Sequence, residues 1–308
     1  MCNEGPRDGR NAAAPTIGSI PPCLTYINDP AGRRTSVVQT GAAFGADHLF
    51  KWGYNTRSEL TTVDRHLGDD PETPGSLMTP GEYEYEYDPI GNRIRHTRDA
   101  DDTFYCANAV NQYVTLDGTD DTCPQDPADE AFAYDEDGNL IQDGTFTYTW
   151  DAENRLIGVA PSSPVNGDKK LAFKYDYMSR RVEKKVWTYN SGWGSPTQVL
   201  RFIYDRWNVV LVLDGLDDNA VLTKYTWGLD LSGQRGNPTA SGIHGAGGIG
   251  GLLAAQEMAS TYAGSYWFHY DANGNVTQIV QHTTNYPLVG HYEYDPYGNL
   301  LNTPTGYA

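Results

Sequence analysis

With 308 residues, 33 glycines and 22 tyrosines, the chain is long enough for two average domains or one large all-β domain, and this composition favours strands joined by turns. Its 22 basic and 40 acidic residues leave a net charge of −18, which repels polyphosphate and anionic headgroups and argues against nucleic acid and membrane surfaces as partners. No apolar run approaches the roughly 20 residues that cross a bilayer as a helix, so no membrane insertion is expected.

Residues 1–46 are rich in Pro, Gly and Ala and lack alternation, so they read as an irregular or disordered leader with at most one strand around Leu24 to Ile27. The segment has no continuous apolar core of a secretory signal. From residue 47 to 308 a single pattern recurs. YEYEYDPIGNRI begins at Tyr83, FAYDEDGNLI at Phe132, YTWDAENRLIGV at Tyr148, FKYDYMSRRV at Phe173, FIYDRWNVV at Phe202, FHYDANGNV at Phe268 and YEYDPYGNLL at Tyr292; a weaker copy, KWGYNTRSEL, begins at Lys51.

Each copy reads as strand, turn, strand. Alternation puts Tyr83, Tyr85 and Tyr87 on one strand face and Glu84 and Glu86 on the other. The Asp that ends the strand accepts a hydrogen bond from the backbone two residues on, and a Gly three residues later tolerates positive φ; together they fit a type I turn closing a hairpin. The predicted turn anchors are Asp88 with Gly91, Asp135 with Gly138, Asp151, Asp176, Asp205, Asp271 with Gly274, and Asp295 with Gly298. Spacing between anchors is irregular, so the expectation is a meandering antiparallel sheet of hairpins with insertions near 99–130 and 231–251. Within it, Leu252 to Met258 reads as a short helix.

Four cysteines, Cys2, Cys23, Cys106 and Cys123, show no C-x-x-C spacing, which argues against zinc. Cys106 and Cys123 bracket a polar excursion and could bridge in an oxidising compartment; the alternative is four free or partly buried thiols.

Beyond the repeats stand NQYVTLDG (Asn111 to Gly118), YTWGLDLSG (Tyr225 to Gly233) and GAGGIGGLLA (Gly245 to Ala254). With them, the region from Asp47 to Leu301 resembles the YD repeats of the bacterial RHS family, related to teneurins and to the shell-forming subunits of insecticidal toxin complexes. The resemblance implies a long β-sheet spiralling into a hollow shell, in many members enclosing a variable C-terminal toxin. It also implies a secreted or cell-surface protein, with the remaining shell and the effector as partners. The sequence departs from the complete pattern at the front, without a signal or trafficking domain. It departs again at YEYDPYGNLLNTPTGYA, where members continue into a conserved core with a self-cleavage site. The expectation is therefore a piece of shell wall.

Other patterns carry less. Asp135-Glu136-Asp137-Gly138 places Gly fourth rather than sixth, and Phe146 stands where an EF-hand needs its bidentate Glu; Asp271 to Asn275 fails alike, so no metal is expected. Gly245 to Gly250 satisfies G-x-G-x-x-G, but GQRGNPTASGIH upstream is no strand, so no cofactor is expected. His269 and His291 alternate with aromatics and are expected to face away from them, toward solvent; with no H-E-x-x-H or G-x-S-x-G present, no catalytic residue is assigned and the chain reads as a scaffold rather than an enzyme. The aromatic rows pack across strands in the first reading; in the second they make a cell-surface adhesion or carbohydrate-binding module that contacts glycans.

Overall fold

Aromatic and β-branched residues alternating with polar ones build strands such as Leu77–Tyr87, Phe146–Trp150 and Gly264–Tyr270, and Asp88, Asp151 and Asp271 follow where these end. The computed structural model describes residues 23–41, 43–230, 232–233, 251–258 and 261–302. The described chain is all-β and divides into two compact units, residues 1–129 with 283–308 and residues 130–282.

The first unit carries β1 (Cys23–Asn28), β2 (Arg34–Thr40), β3 (His48–Tyr54), β4 (Leu60–Leu67), β5 (Leu77–Tyr87), β6 (Arg93–Arg98), β7 (Asp101–Ala107) and β8 (Tyr113–Asp117). Each pairs antiparallel with the next. The second unit opens on the short β9 (Glu130–Ala131) and carries β10 (Ala133–Tyr134), β11 (Leu140–Gln142), β12 (Phe146–Trp150), β13 (Leu156–Pro161), β14 (Lys169–Tyr175) and β15 (Arg181–Thr188). It continues through β16 (Gln198–Asp205), β17 (Asn208–Asp214), β18 (Ala220–Trp227), β19 (Leu252–Glu257), β20 (Gly264–Tyr270) and β21 (Val276–Gln281); β22 (Leu288–His291) belongs to the first unit. Strand order follows chain order, and neither antiparallel sheet closes into a barrel, as expected for an open all-β meander.

Register explains the core. In the first unit Tyr26 faces Val37, Val37 faces Phe50, Trp52 faces Val63, and Val63 faces Tyr83, so one face of successive strands collects the apolar residues. Val37, Phe50, Val63, Tyr83 and Tyr85 form its buried cluster, with Leu60, Tyr87 and Leu301 packed against it. Glu82, Glu84 and Glu86 lie exposed on the other face of β5, which is the alternation read from the sequence.

Three segments differ from the sequence reading. The strand expected around Leu24 to Ile27 is β1, but Arg34–Thr40, assigned to the irregular leader, also forms a strand, β2: pairing with β1 and β3 satisfies its backbone and buries Val37 and Val38, which local composition does not disclose. The region 99–130 contains β7, β8 and a turn at Asn108, so only 118–129 is an excursion, and the Cys106–Cys123 disulfide ties it back with a Cα–Cα distance of 5.3 Å. Leu252–Glu257 is a strand: the helix propensity of its alanines is overridden by pairing with β18 and β20 on its two sides. Residues 1–22, the body of the 231–251 insertion and the Gly245 to Gly250 motif lie outside the described residues.

Candidate functional site

A row of near-identical turns is the most repeated feature of the chain. At Asp135 one carboxylate oxygen accepts the N–H groups of Asp137 at 3.0 Å and Asn139 at 2.8 Å, while the other accepts Asn139 Nδ2 at 3.0 Å. Gly138 donates its N–H to the Asp135 carbonyl with φ 84°, so the hairpin closes as a type I turn followed by a left-handed residue. Both oxygens are thus occupied by the turn, and the Asn139 side chain together with the turn N–H groups holds the carboxyl below the usual carboxylate range.

The same arrangement recurs at Asp88, Asp271 and Asp295 with Gly91, Gly274 and Gly298 at positive φ. At Asp151 and Asp176 the left-handed residues are Asn154 (φ 56°) and Ser179 (φ 59°), and the residue four on is an arginine whose Nε reaches the carboxylate at 2.8 Å in each case. Asp205 stands apart: it pairs with Asn208 inside the ladder, and the turn is the two-residue Arg206-Trp207 with Arg206 at φ 57°.

Three further copies were not among the predicted anchors. They are Asp29 with Gly32 and Arg33, Asn55 with Ser58 and Glu59, and Asn108 with Asn111 and Gln112. The signal that finds them is an Asx residue followed four positions later by a hydrogen-bonding side chain, with neither Tyr-Asp nor Gly required.

Successive turns are also tied together. Asn139 Nδ2 reaches Asn154 Oδ1 at 3.0 Å, Arg155 Nη1 reaches the Asp176 carbonyl at 3.3 Å, and Arg180 donates to the Arg206 carbonyl. At Asn55, Asp88, Asp151, Asp176 and Asp205 the aromatic residue just before the anchor completes the link. Tyr54 donates its hydroxyl to the Arg34 carbonyl at 2.8 Å, Tyr87 to Leu60 at 2.8 Å, Tyr175 to Leu156 at 2.7 Å and Tyr204 to Arg181 at 2.8 Å; Trp150 Nε1 does the same to Leu140 at 2.8 Å. Arg33, Arg155 and Arg180 lie over the rings of Tyr54, Tyr175 and Tyr204 at 5.0, 5.4 and 5.1 Å. Each ring therefore packs by its face and binds the neighbouring hairpin by its tip.

A second cluster gathers ionisable groups. Glu293 is hydrogen-bonded by Arg65 and by His291 Nε2 at 2.9 Å, and it stands 3.6 Å from His48 Nε2. His48 is 2% exposed and Arg65 7%, and Phe44 meets both imidazoles edge-on at 5.0 and 5.1 Å. Burial alone raises the Glu293 carboxyl, but the His291 hydrogen bond and the charges of His48 and Arg65 outweigh it and hold the group below its ordinary value. Burial lowers the His48 imidazole. Asn302 adds two bonds, to the His291 carbonyl at 2.9 Å and from the Glu293 N–H at 2.8 Å.

The position of His291 corrects the expectation that it faces solvent: its side chain is 15% exposed and bonded to Glu293, because register sets it toward a carboxylate two residues away. His269 is half-buried, and burial lowers its imidazole. Among the described residues no group of three or more His, Cys, Asp or Glu is arranged to hold a metal ion.

No family model matches the chain. It is similar to the tRNA3(Ser)-specific nuclease WapA of Bacillus spizizenii and to the tRNA nuclease WapA of Bacillus subtilis, each 31% identical over 225 residues. Those matches cover 71% of this chain and 8% of the relatives' length, so the chain spans a small part of the proteins it resembles. The crystal structure of TcdB2-TccC3 aligns over 92% of the chain and 16% of its own length, with a TM-score of 0.32 and 13% identity. The reading of the chain as a non-enzyme is corrected by these relatives, since both WapA proteins bear the names of nucleases, which are enzymes.

Proposed function

We propose that this chain is a wall segment of an RHS-type YD-repeat scaffold that surrounds a C-terminal effector within a longer secreted or surface protein. We further infer that the longer polypeptide is a toxin of the tRNA-nuclease kind named in its relatives, with the remaining shell and the effector as partners of this region. The observation that carries the reading is the row of linked turns. The hairpins at Asp88, Asp151 and Asp176 each satisfy their own Asx anchor and pass one aromatic hydroxyl or indole N–H to a neighbour, a local design that lets strands add one after another. A sheet built this way covers area, which a wall requires, and the similarity to the WapA nucleases supplies the toxin context.

Expression of the full coding sequence, through and beyond residue 308, tests the reading. The polypeptide downstream is expected to resist trypsin while joined to this region and to be cut at least tenfold faster when expressed alone, a change of about 1.4 kcal/mol or more in the free energy of exposure. Equal cleavage rates in the two forms would overturn encapsulation, and absence of tRNA cleavage by the released polypeptide would overturn the nuclease assignment.

A further inference from the structure

Residues 118–129 leave the sheet of the first unit after β8. At the root Asp117 accepts the N–H groups of Thr119 and Asp120 at 2.7 Å each, and Gly118 donates its N–H to the Asp129 carboxylate at 2.9 Å, so both ends of the excursion are held. Its middle is fastened to the strands at two neighbouring points. Gln125 accepts the Thr115 hydroxyl and Cys123 is bonded to Cys106, and Thr115 and Cys106 stand opposite each other across the β7–β8 ladder. Cys106, Thr115 and Gln125 are all buried, whereas Cys123 is exposed.

The excursion has reason to lift once the covalent point is gone. Asp120, Asp121, Asp126 and Asp129 crowd it with like charge, and no Lys, Arg or His stands between Asp99 and Asn154 in the sequence to offset them. The Thr115–Gln125 bond then holds the middle against that repulsion and against the chain entropy gained on opening. The strands beneath do not depend on it, because β7 and β8 keep their own register from Phe104 opposite Asp117 to Ala107 opposite Tyr113. With Cys123 exposed and Cys106 2% exposed, a reductant reaches the Cys123 sulfur first.

We propose that the Cys106–Cys123 bond is a reducible clasp, which holds the excursion over β7 and β8 in an oxidising compartment and frees it in a reducing one. The thiolate of a dithiol reductant attacks Cys123 Sγ and forms a mixed disulfide there; the S–S bond breaks with its electron pair passing to Cys106 Sγ, which takes up a proton. The second thiol of the reductant then attacks the reductant sulfur of that mixed disulfide, closes a cyclic disulfide and releases Cys123 as a thiolate that protonates in water. The protein gains two electrons and two protons, and the reductant loses them. Cys106 keeps its place as a small apolar side chain, while the freed excursion uncovers Thr115 beside it. The setting of the switch rests on the effector reading above: a wall carried from outside a cell to tRNA passes from an oxidising to a reducing compartment, and the clasp opens on arrival.

Hydrogen exchange read by mass spectrometry on the 308-residue chain, before and after millimolar dithiothreitol, tests it, with iodoacetamide labelling to map which thiols have been freed. Reduction is expected to label Cys123 and to speed exchange in residues 119–128 by about tenfold or more, while β3 to β6 stay within about twofold of their rates in the oxidised chain. Cys23 is also disulfide-bonded, so Cys123→Ser serves as the control: its excursion should exchange fast from the start and respond no further to dithiothreitol. If that variant does not fold, the comparison of the oxidised and reduced natural chain decides alone. A Cys106–Cys123 bond that resists dithiothreitol in the folded chain would overturn the proposal, as would unchanged exchange at 119–128 after its reduction. Equal acceleration in β3 to β6 would also overturn it, by making the bond a staple of the whole unit. The experiment involves no effector, so its failure leaves the encapsulation reading standing, and failure of that reading leaves the chemistry of the clasp intact.

Discussion

The turn row and the Glu293 cluster both use a carboxylate to hold strands together, on opposite length scales. Asp135 finds its partners within four residues, at Asp137 and Asn139, and its turn lies at the surface. Glu293 draws on Arg65, 228 positions away in sequence, and on His48 and His291, in surroundings where its side chain is 14% exposed. A turn of the first kind can be copied along a chain because it asks nothing of distant residues. A cluster of the second kind exists once, and it fastens the last hairpin of the first unit onto β3 and β4. Energetic consequences should differ accordingly, since removing one partner of a buried ion pair strands the other charge, while a surface turn can fall back on water.

The largest expected effect is that of Glu293→Ala. It leaves the Arg65 guanidinium buried without its carboxylate and should lower unfolding free energy by about 3–5 kcal/mol, measured by urea denaturation. A loss under about 1 kcal/mol would mean that water replaces the carboxylate, and the contrast between the two regions would collapse. Next comes Gly138→Val, which forces a β-branched residue to φ near 84° and should cost about 1–3 kcal/mol, read as a lowered thermal midpoint. Ser179→Gly at the equivalent place in the Asp176 turn should be neutral or nearly so, because that backbone already has positive φ.

The smallest effect is a pH slope. The folded His48 imidazole is lowered by burial, so below its ordinary value of about 6.5 the unfolded chain takes up a proton that the folded chain resists. Stability should fall as pH drops below that value, by at most about 1.4 kcal/mol per pH unit for one proton. Glu293, also lowered, adds a second loss in the same direction as pH falls below its ordinary carboxylate range. The groups facing His48 are Glu293, Arg65, His291 and the Ala46 carbonyl. His48→Gln should flatten the slope near pH 5.5–6.5 and leave the acid limb; a slope unchanged by that substitution would assign it to other groups.

The hairpins at Asp88, Asp135, Asp151, Asp176, Asp271 and Asp295 were legible because their hydrogen bonds close within five residues, and a local motif is written in local sequence. Asn55 was legible only as a weak copy and Asn108 was absorbed into an insertion, because Asn replaces Asp and Ser58 or Asn111 replaces Gly while the bonds stay the same. Leu252–Glu257 was misread as helix for the complementary reason: its alanines carry no sign of the two strands that flank it. Of the Glu293 cluster only His291 was singled out, and its surroundings were not foreseen, since nothing near position 293 points to position 65.

The sequence alone determined the repeating hairpin, the face on which Tyr83 and Tyr85 lie, and the Asp and Gly that turn the chain, because each follows from side-chain period or from a bond of four residues' reach. Tertiary structure decided the second role of the aromatics, whose hydroxyl and indole groups reach across to Leu60, Leu140, Leu156 and Arg181. It also decided the pairing of Cys106 with Cys123, the strand at Leu252 and the joining of Glu293 to Arg65. These depend on which strands lie side by side, and that is set by the register of the whole sheet and not by any one segment of it.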